Sequence, residues 1–100
     1  MFRDRYEFEW DIGNTSKIEA RFQICEVEAF FKQDLLIMKD VLHSDHELRF
    51  LAMGLGPSDR PVLVCFTFRE TKIRVISARY MNKKEAKAYE TIKEERERST

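Results

Sequence analysis

The chain has 100 residues, 43% of them hydrophobic, and this length allows one hydrophobic core and therefore a single domain over residues 1–100. No stretch approaches the roughly 20 apolar residues of a membrane span, and the N-terminus lacks the apolar region of a signal peptide, so we expect a cytoplasmic protein without membrane contact. The formal net charge is zero, but residues 60–87 carry eight basic and two acidic side chains, which indicates either an anionic partner or a solvated face balanced by the acidic first half.

The N-terminal part predicts one strand followed by helical structure. Aromatic and acidic residues alternate over residues 6–10, as in a half-buried strand. Asp11 is a suitable N-cap for a helix that runs to about Phe22. Residues 24–31 have apolar side chains at helical spacing, but the joint near Gln23 leaves open whether there are two helices or one bent helix. Cys25, within this apolar run, and the distant Cys65 are expected to be buried free thiols.

The second half of the chain predicts a sheet built from consecutive strands. Apolar and β-branched segments at residues 35–42, 50–53, 62–68 and 73–79 are separated by turns, of which residues 54–59 form the strongest. Short loops between the last three favour an antiparallel meander.

Asn82 and Glu85 have the spacing of a capping box, which predicts a helix from Lys83 to about Arg96. Residues 91–100 form a charged helical tail whose end we expect to fray. The predicted fold is therefore α+β, with an antiparallel four- to five-stranded sheet, two N-terminal helices and one C-terminal helix.

The last predicted strand carries arginines that a hydrophobic core does not require. Alternation places Arg74 on the face opposite Val75 and Ser77, whereas Arg79 has the other parity and lies at the strand end. Guanidinium groups bind phosphate in a bidentate manner and remain charged, so this strand indicates a phosphate-binding surface. In the structural alternative, Arg74 and Arg79 form intramolecular ion pairs with Glu47 and Glu70.

Residues 40–49 hold the densest group of titratable side chains. His43 and His46 are candidates for general acid or base, because histidine titrates near neutral pH. A metal site of His43, Asp45 and His46 is conceivable, but no metal-binding spacing such as HExxH occurs, so we predict no metal and no cofactor.

Several segments have the order and spacing of the BrnT family, which the chain resembles over roughly residues 6–90: Phe8-Glu9-Trp10-Asp11, His43-Ser44-x-x-Glu47-x-Arg49, Val64-Cys65-Phe66-Thr67-x-Arg69, Ile73-Arg74-Val75-Ile76-Ser77-Ala78-Arg79, and the closing Lys84-Glu85 and Tyr89-Glu90. The resemblance implies a ribonuclease toxin of a type II toxin–antitoxin system with a RelE-like fold. It also implies a BrnA-like ribbon-helix-helix antitoxin, through which alone the toxin would reach DNA.

Within this resemblance, the RNA phosphate needs cations and the transferred proton needs an acid or base. Our hypothesis gives the catalytic roles to His43, Glu47, Arg49, Arg74 and Arg79. It gives RNA binding to Trp10, Arg21, Arg69 and Lys72. As a competing reading, Trp10 is a core residue.

The chain departs from the family at the joint between the first two helices. Family members commonly carry Lys-His-Gly-Val there, and the matching residues are Arg21-Phe22-Gln23-Ile24. Without this glycine, a left-handed helix end at Gln23 would be strained by about 1 kcal/mol. Without the histidine, the alternative function is a catalytically impaired binding module that retains antitoxin or RNA binding.

Overall fold

The computed structural model describes residues 6–43 and 45–99 and confirms an α+β fold with a five-stranded sheet and three helices. The helices and strands in chain order are β1 (Glu7–Phe8), α1 (Ile12–Glu19), α2 (Ile24–Phe30), β2 (Leu36–Lys39), β3 (Arg49–Leu55), β4 (Pro61–Arg69), β5 (Lys72–Tyr80) and α3 (Lys83–Arg98). None of the helices in the described ranges is long and apolar enough to cross a membrane.

The sheet has the strand order β1-β5-β4-β3-β2. Strands β2 to β5 pair in succession and antiparallel, so the predicted meander is confirmed. Strand β1 adds a parallel edge beside β5, with Glu7 opposite Lys72 and Phe8 opposite Ile73. The first predicted strand therefore exists, although only two of its residues pair.

One extra residue in β5 reverses the alternation of its side chains. Cys65 of β4 pairs with Ser77, whereas the next residue, Phe66, pairs with Val75, so Ile76 is left over as a bulge. Strict alternation through the strand, as predicted from sequence, is therefore wrong beyond this point.

The bulge changes which residues of β5 share a face. Val75 and Ala78 both belong to the core beneath α1 and α2, while Ser77 and Arg79 line a cavity on the opposite side of the sheet. We call that side the open face. Arg74 precedes Val75, so the two arginines lie on the same face rather than on opposite ones.

The core between the helices and the sheet is rich in aromatic rings. Phe31 is buried, and its ring centroid lies 5.3 Å from Phe66, 5.4 Å from Phe30 and 5.5 Å from Phe8, in edge-on arrangements. Burial of one such side chain stabilises the fold by roughly 1.5–3 kcal/mol. The helix-covered side of the sheet therefore serves to stabilise the fold.

The joint between α1 and α2 separates two helices. Helix α1 ends at Glu19, earlier than the predicted Phe22, and Phe22 is buried with its ring 4.9 Å from that of Tyr80. Gln23 has φ −80° and starts α2 in a capping box with Glu26. The expected left-handed strain at Gln23 is therefore absent.

The two cysteines differ in burial. Cys65 is buried as predicted, but Cys25 is exposed, so the prediction for Cys25 is wrong. Cys25 is the second residue of α2, two positions before the buried Val27, and this spacing turns it away from the core.

Strand bounds near the site also differ from the prediction. Strand β2 ends at Lys39 instead of continuing to residue 42, and a 3-10 turn follows at Val41–His43. Strand β3 continues through Gly54, which the sequence had assigned to a turn. A Cβ at Gly54 would lie 2.6 Å from Leu35 Cδ2, so the absence of a side chain permits this close packing.

Helix α3 extends from its predicted start at Lys83 to Arg98, through part of the segment where fraying was expected. Its first turn reaches the open face, because Glu85 bonds to Arg79. Further along, Tyr89 is buried and shares a cavity of about 370 Å³ with Leu36 of β2.

Candidate active site

Two adjoining cavities lie at the open face. The first has a volume of about 370 Å³ and is lined by Leu42, His43, Asp45, His46, Glu47, Arg49 and Arg69. The second has a volume of about 250 Å³, and its lining includes Asp40, His43, Arg49, Cys65, Ser77 and Arg79 over a floor of Leu51, Leu63 and Ile76. His43 and Arg49 line both. We call His43, Glu47, Arg49, Arg69 and Arg79 the open-face cluster.

Glu47 lies within ion-pair distance of two arginines of the cluster. Its Oε1 lies 3.5 Å from Arg49 Nε, and its Oε2 lies 3.7 Å from Arg69 Nη2. Arg49 begins β3 and Arg69 ends the neighbouring β4, so adjacent strands bring the two guanidiniums together. Alternation along the chain predicted that Glu47 and Arg49 share a face. The proximity of Arg69 to Glu47 depends on the register between β3 and β4.

His43 is held by a carboxylate that the sequence analysis did not select. Its Nδ1 lies 3.0 Å from Asp40 Oδ2 and 3.1 Å from Asp40 Oδ1. The Asp40 side chain is 9% exposed and that of His43 is 65% exposed. Asp40 fell inside the predicted strand over residues 35–42, so its spacing of three residues from His43 was the available signal, and its burial was not apparent from that spacing.

Among the residues that the structure describes, Arg79 contacts the carboxylate of Glu85. Its Nη1 and Nη2 donate to the two oxygens of Glu85, each at 2.7 Å, and the Arg79 side chain remains 42% exposed. The hydrogen bonds to Glu85 raise the pKa of Arg79. The same hydrogen bonds are the largest cause that lowers the pKa of Glu85 to about 2. Glu85 also accepts from the Asn82 backbone N–H at 3.0 Å, so the start of α3 fixes the guanidinium.

Arg74 is bound by two carboxylates instead. Its Nη1 lies 2.8 Å from Asp11 Oδ2 and 3.0 Å from Glu9 Oε1, and its Nη2 lies 3.0 Å from Asp11 Oδ1. The side chain is 13% exposed and is not part of the lining of either cavity. Hydrogen bonding raises the pKa of Arg74 and lowers that of Asp11.

Arg74 and Arg79 do form intramolecular ion pairs, but with other carboxylates than those predicted from the sequence. Glu9, Asp11 and Glu85 bind Arg74 and Arg79, whereas Glu47 and Glu70 had been predicted. Glu47 instead lies beside Arg49 and Arg69.

A buried asparagine reinforces the contact between α1 and β5. Asn14 donates through Nδ2 to the carbonyls of Glu9 at 3.0 Å and Val75 at 2.9 Å, and its Oδ1 accepts from the Asp11 backbone N–H. Asp11 in turn caps α1, which confirms the predicted N-cap. We call Glu9, Asp11, Asn14 and Arg74 the α1 clamp.

Residues 10–85 match a family model described as the ribonuclease toxin, BrnT, of type II toxin–antitoxin systems. The chain belongs to the BrnT family. Comparisons with curated proteins and with solved structures give no match. The whole open-face cluster lies inside the matched segment, so the cavities are part of the BrnT domain.

The structure does not bring all predicted RNA-binding residues together. Arg69 lines the first cavity, whereas Arg21 is exposed at the α1–α2 joint and Lys72 is exposed at the start of β5. Trp10 packs against the core, stacks on Phe8 and donates through Nε1 to a Glu28 oxygen at 2.8 Å. RNA contact by Trp10, Arg21 and Lys72 remains a prediction.

The departure from the common BrnT sequence at Phe22 lies within the core. Phe22 packs on Tyr80 beneath α1 and α2, and neither cavity includes it in its lining. In this chain the position therefore has a packing role.

Within the described part of the chain, no three side chains of His, Cys, Asp or Glu come together as a group that could hold a metal ion. Cys65 is near Asp40, with Sγ 3.9 Å from Oδ2. Burial, followed by the Asp40 charge, raises the pKa of the Cys65 thiol, so the thiol is neutral at pH 7.

Proposed function

We propose that this protein is an endoribonuclease toxin that cleaves RNA without a metal ion, inhibits translation in the cytoplasm and is neutralised by a BrnA-like ribbon-helix-helix antitoxin. Membership of the BrnT family supports the ribonuclease class. The observation that carries the site assignment is that His43 and Arg49 line both open-face cavities, so a proton-transfer group lies beside a cation.

In the proposed reaction, a 2′-hydroxyl of RNA attacks the adjacent phosphorus. The bond from O2′ to phosphorus forms as the bond to O5′ breaks, and the phosphate gains negative charge in the transition state. Arg49 and Arg79 stabilise that charge, while His43 accepts the 2′-hydroxyl proton. A protonated group or water then supplies a proton to O5′. The products are a 2′,3′-cyclic phosphate and a 5′-hydroxyl.

The remaining charged residues have supporting roles in this proposal. Glu47 holds Arg49 and Arg69 in place, and Arg69 contacts the RNA backbone at the outer edge of the first cavity. Arg74 serves the α1 clamp and does not contact the reacting phosphate, since two carboxylates occupy its guanidinium.

A protein partner is favoured by exposed apolar side chains beside the first cavity. Val41 and Leu42 are 74% and 83% exposed, and Met38 and Leu48 are exposed nearby in sequence. Such surfaces commonly mark protein–protein contacts, which fits an antitoxin that covers the RNA site. Adding a ribbon-helix-helix protein encoded next to this chain should stop RNA cleavage, whereas an unrelated ribbon-helix-helix protein should not.

The cleavage proposal is tested with purified protein and an end-labelled RNA in EDTA. We expect fragments that end in a 2′,3′-cyclic phosphate, and no cleavage where the attacking 2′-hydroxyl is replaced by hydrogen. A protein purified in parallel with Arg49→Ala controls for contaminating nuclease. RNA that stays intact with wild-type protein in EDTA would contradict the proposed activity.

The second candidate function is a binding module without catalysis. It is favoured by the carboxylates on Arg74 and Arg79, which offset charge that a phosphate would otherwise meet. Fluorescence anisotropy separates the two functions, because a binding module holds labelled RNA, or a BrnA-like antitoxin, without cutting the RNA.

A further inference from the structure

We propose that Asp40 is a positioning residue that fixes the tautomer and orientation of His43. This inference rests on the proposed RNA cleavage, in which His43 takes up a proton. It adds a buried carboxylate outside the residues that the sequence assigned to the site.

The position of Asp40 is fixed by the backbone around it. Asp40 directly follows β2, and its backbone N–H donates to the carbonyl of Arg49 at 2.8 Å. Its own carbonyl accepts from the His43 backbone N–H at 3.3 Å, which closes the turn. The same turn therefore sets both ends of the contact between Asp40 and His43.

The side-chain contact determines which histidine nitrogen is available to RNA. Both Asp40 oxygens lie within 3.1 Å of His43 Nδ1. A carboxylate accepts hydrogen bonds, so the neutral imidazole carries its hydrogen on Nδ1 and leaves the Nε2 lone pair as the proton acceptor. When Nε2 takes a proton, Asp40 stabilises the resulting imidazolium, as in a Ser-His-Asp triad.

Asp40 is buried, so its carboxylate needs polar partners close to it. Isolated burial of a carboxylate is costly, and the partners at this site compensate for that cost. Besides His43, the neutral thiol of Cys65 lies 3.9 Å from Oδ2, and Arg49 lines the same cavity. His43 is largely exposed, and its contact with Asp40 restrains rotation of the ring.

A simpler role for Asp40 is stabilisation of the turn at Val41–His43 alone. Asp40→Asn distinguishes the two roles, because it keeps the shape of the side chain while removing the charge. Positioning predicts that the single-turnover cleavage rate falls by about 100-fold or more with RNA affinity unchanged. Turn stabilisation alone predicts that the variant has a lower melting temperature. At temperatures below that melting temperature, it would cleave RNA at the wild-type rate. Asp59→Asn, a matched change at an exposed turn, should leave the rate unchanged.

A double-mutant cycle ties the effect to His43. If Asp40 acts through His43, adding Asp40→Asn to His43→Ala should cause no further loss beyond about twofold. Asp40→Glu, which keeps the charge, should restore part of the rate. A full additional 100-fold loss in the His43→Ala background would overturn the inference.

A spectroscopic readout separates this inference from the proposed function. In ¹⁵N NMR spectra of the wild-type protein at alkaline pH, His43 should show a single tautomer with hydrogen on Nδ1. Exposed His46 should show the tautomer mixture of a solvated imidazole. A tautomer mixture at His43 contradicts the positioning role even if RNA is cleaved. A fixed Nδ1–H tautomer in a protein that leaves RNA intact supports the positioning of His43 and refutes only the proposed cleavage.

Discussion

The α1 clamp and the open-face cluster each include one arginine from β5, but they differ in how that arginine is bound. Within residues 6–43 and 45–99, Arg74 donates to two carboxylates and is 13% exposed, whereas Arg79 donates to one and is 42% exposed beside a cavity. An arginine on a strand is therefore not by itself a phosphate site. The number of carboxylates that reach it, and the space beside it, decide which role the structure favours.

The largest effect is expected when a cation of the open-face cluster is removed and RNA cleavage is measured. Arg49 lines both cavities, so Arg49→Ala should lower the cleavage rate by about 100-fold or more, the usual effect of removing a group that stabilises transition-state charge. Single-turnover kinetics with labelled RNA measure this loss. Arg60→Ala, which removes a cation stacked on Tyr80 outside both cavities, should stay within about twofold of wild type. Equal losses for both variants would mean that overall positive charge is what matters.

Disrupting the α1 clamp should instead lower the free energy of unfolding. Asn14→Ala leaves the Asp11 N–H and two carbonyl groups without their side-chain partner, which should reduce the free energy of unfolding by about 2 kcal/mol. Urea titration measures the change. Ser16→Ala on the exposed side of α1 should stay within about 0.5 kcal/mol of wild type. A large loss of cleavage by folded Asn14→Ala protein would mean that the α1 clamp also contributes to RNA cleavage.

A smaller effect is expected in the acid stability of the contact between Arg79 and Glu85. The pKa of Glu85 is lowered to about 2 in the folded chain, chiefly by Arg79, from an ordinary value near 4.5. This contribution to stability is therefore complete above about pH 4.5 and is lost as the pH falls towards 2. Glu85→Gln should flatten the dependence of unfolding free energy on pH across that window. The matched Glu90→Gln change on exposed α3 should leave the dependence as in wild type.

The sequence predicted the elements well because their signals are local. Alternating and β-branched residues marked the strands of the meander, and Asp11 and Asn82 marked the starts of α1 and α3. The bulge at Ile76 was not predictable, because it exists only relative to the partner strand. The parallel pairing of β1 was equally hidden, since two residues carry too little pattern.

The candidate site was predicted in part for the same physical reason. His43, Glu47 and Arg49 lie within one short segment, so their grouping was apparent. The partner of Arg74 was not, because Asp11 lies 63 residues away in the chain and meets it only through β1 and α1. The Asp40 carboxylate was visible as a residue type, but its burial depends on how β2, β3 and β4 pack together.

We propose that the open-face cluster, and not the α1 clamp, acts on RNA. The most direct test is a comparison of Arg79→Ala with Arg74→Ala, two identical changes on one strand, by single-turnover RNA cleavage below both melting temperatures. We predict that Arg79→Ala loses about 100-fold in rate and that Arg74→Ala stays within about threefold of wild type. A large loss for Arg74→Ala with little change for Arg79→Ala would contradict this proposal.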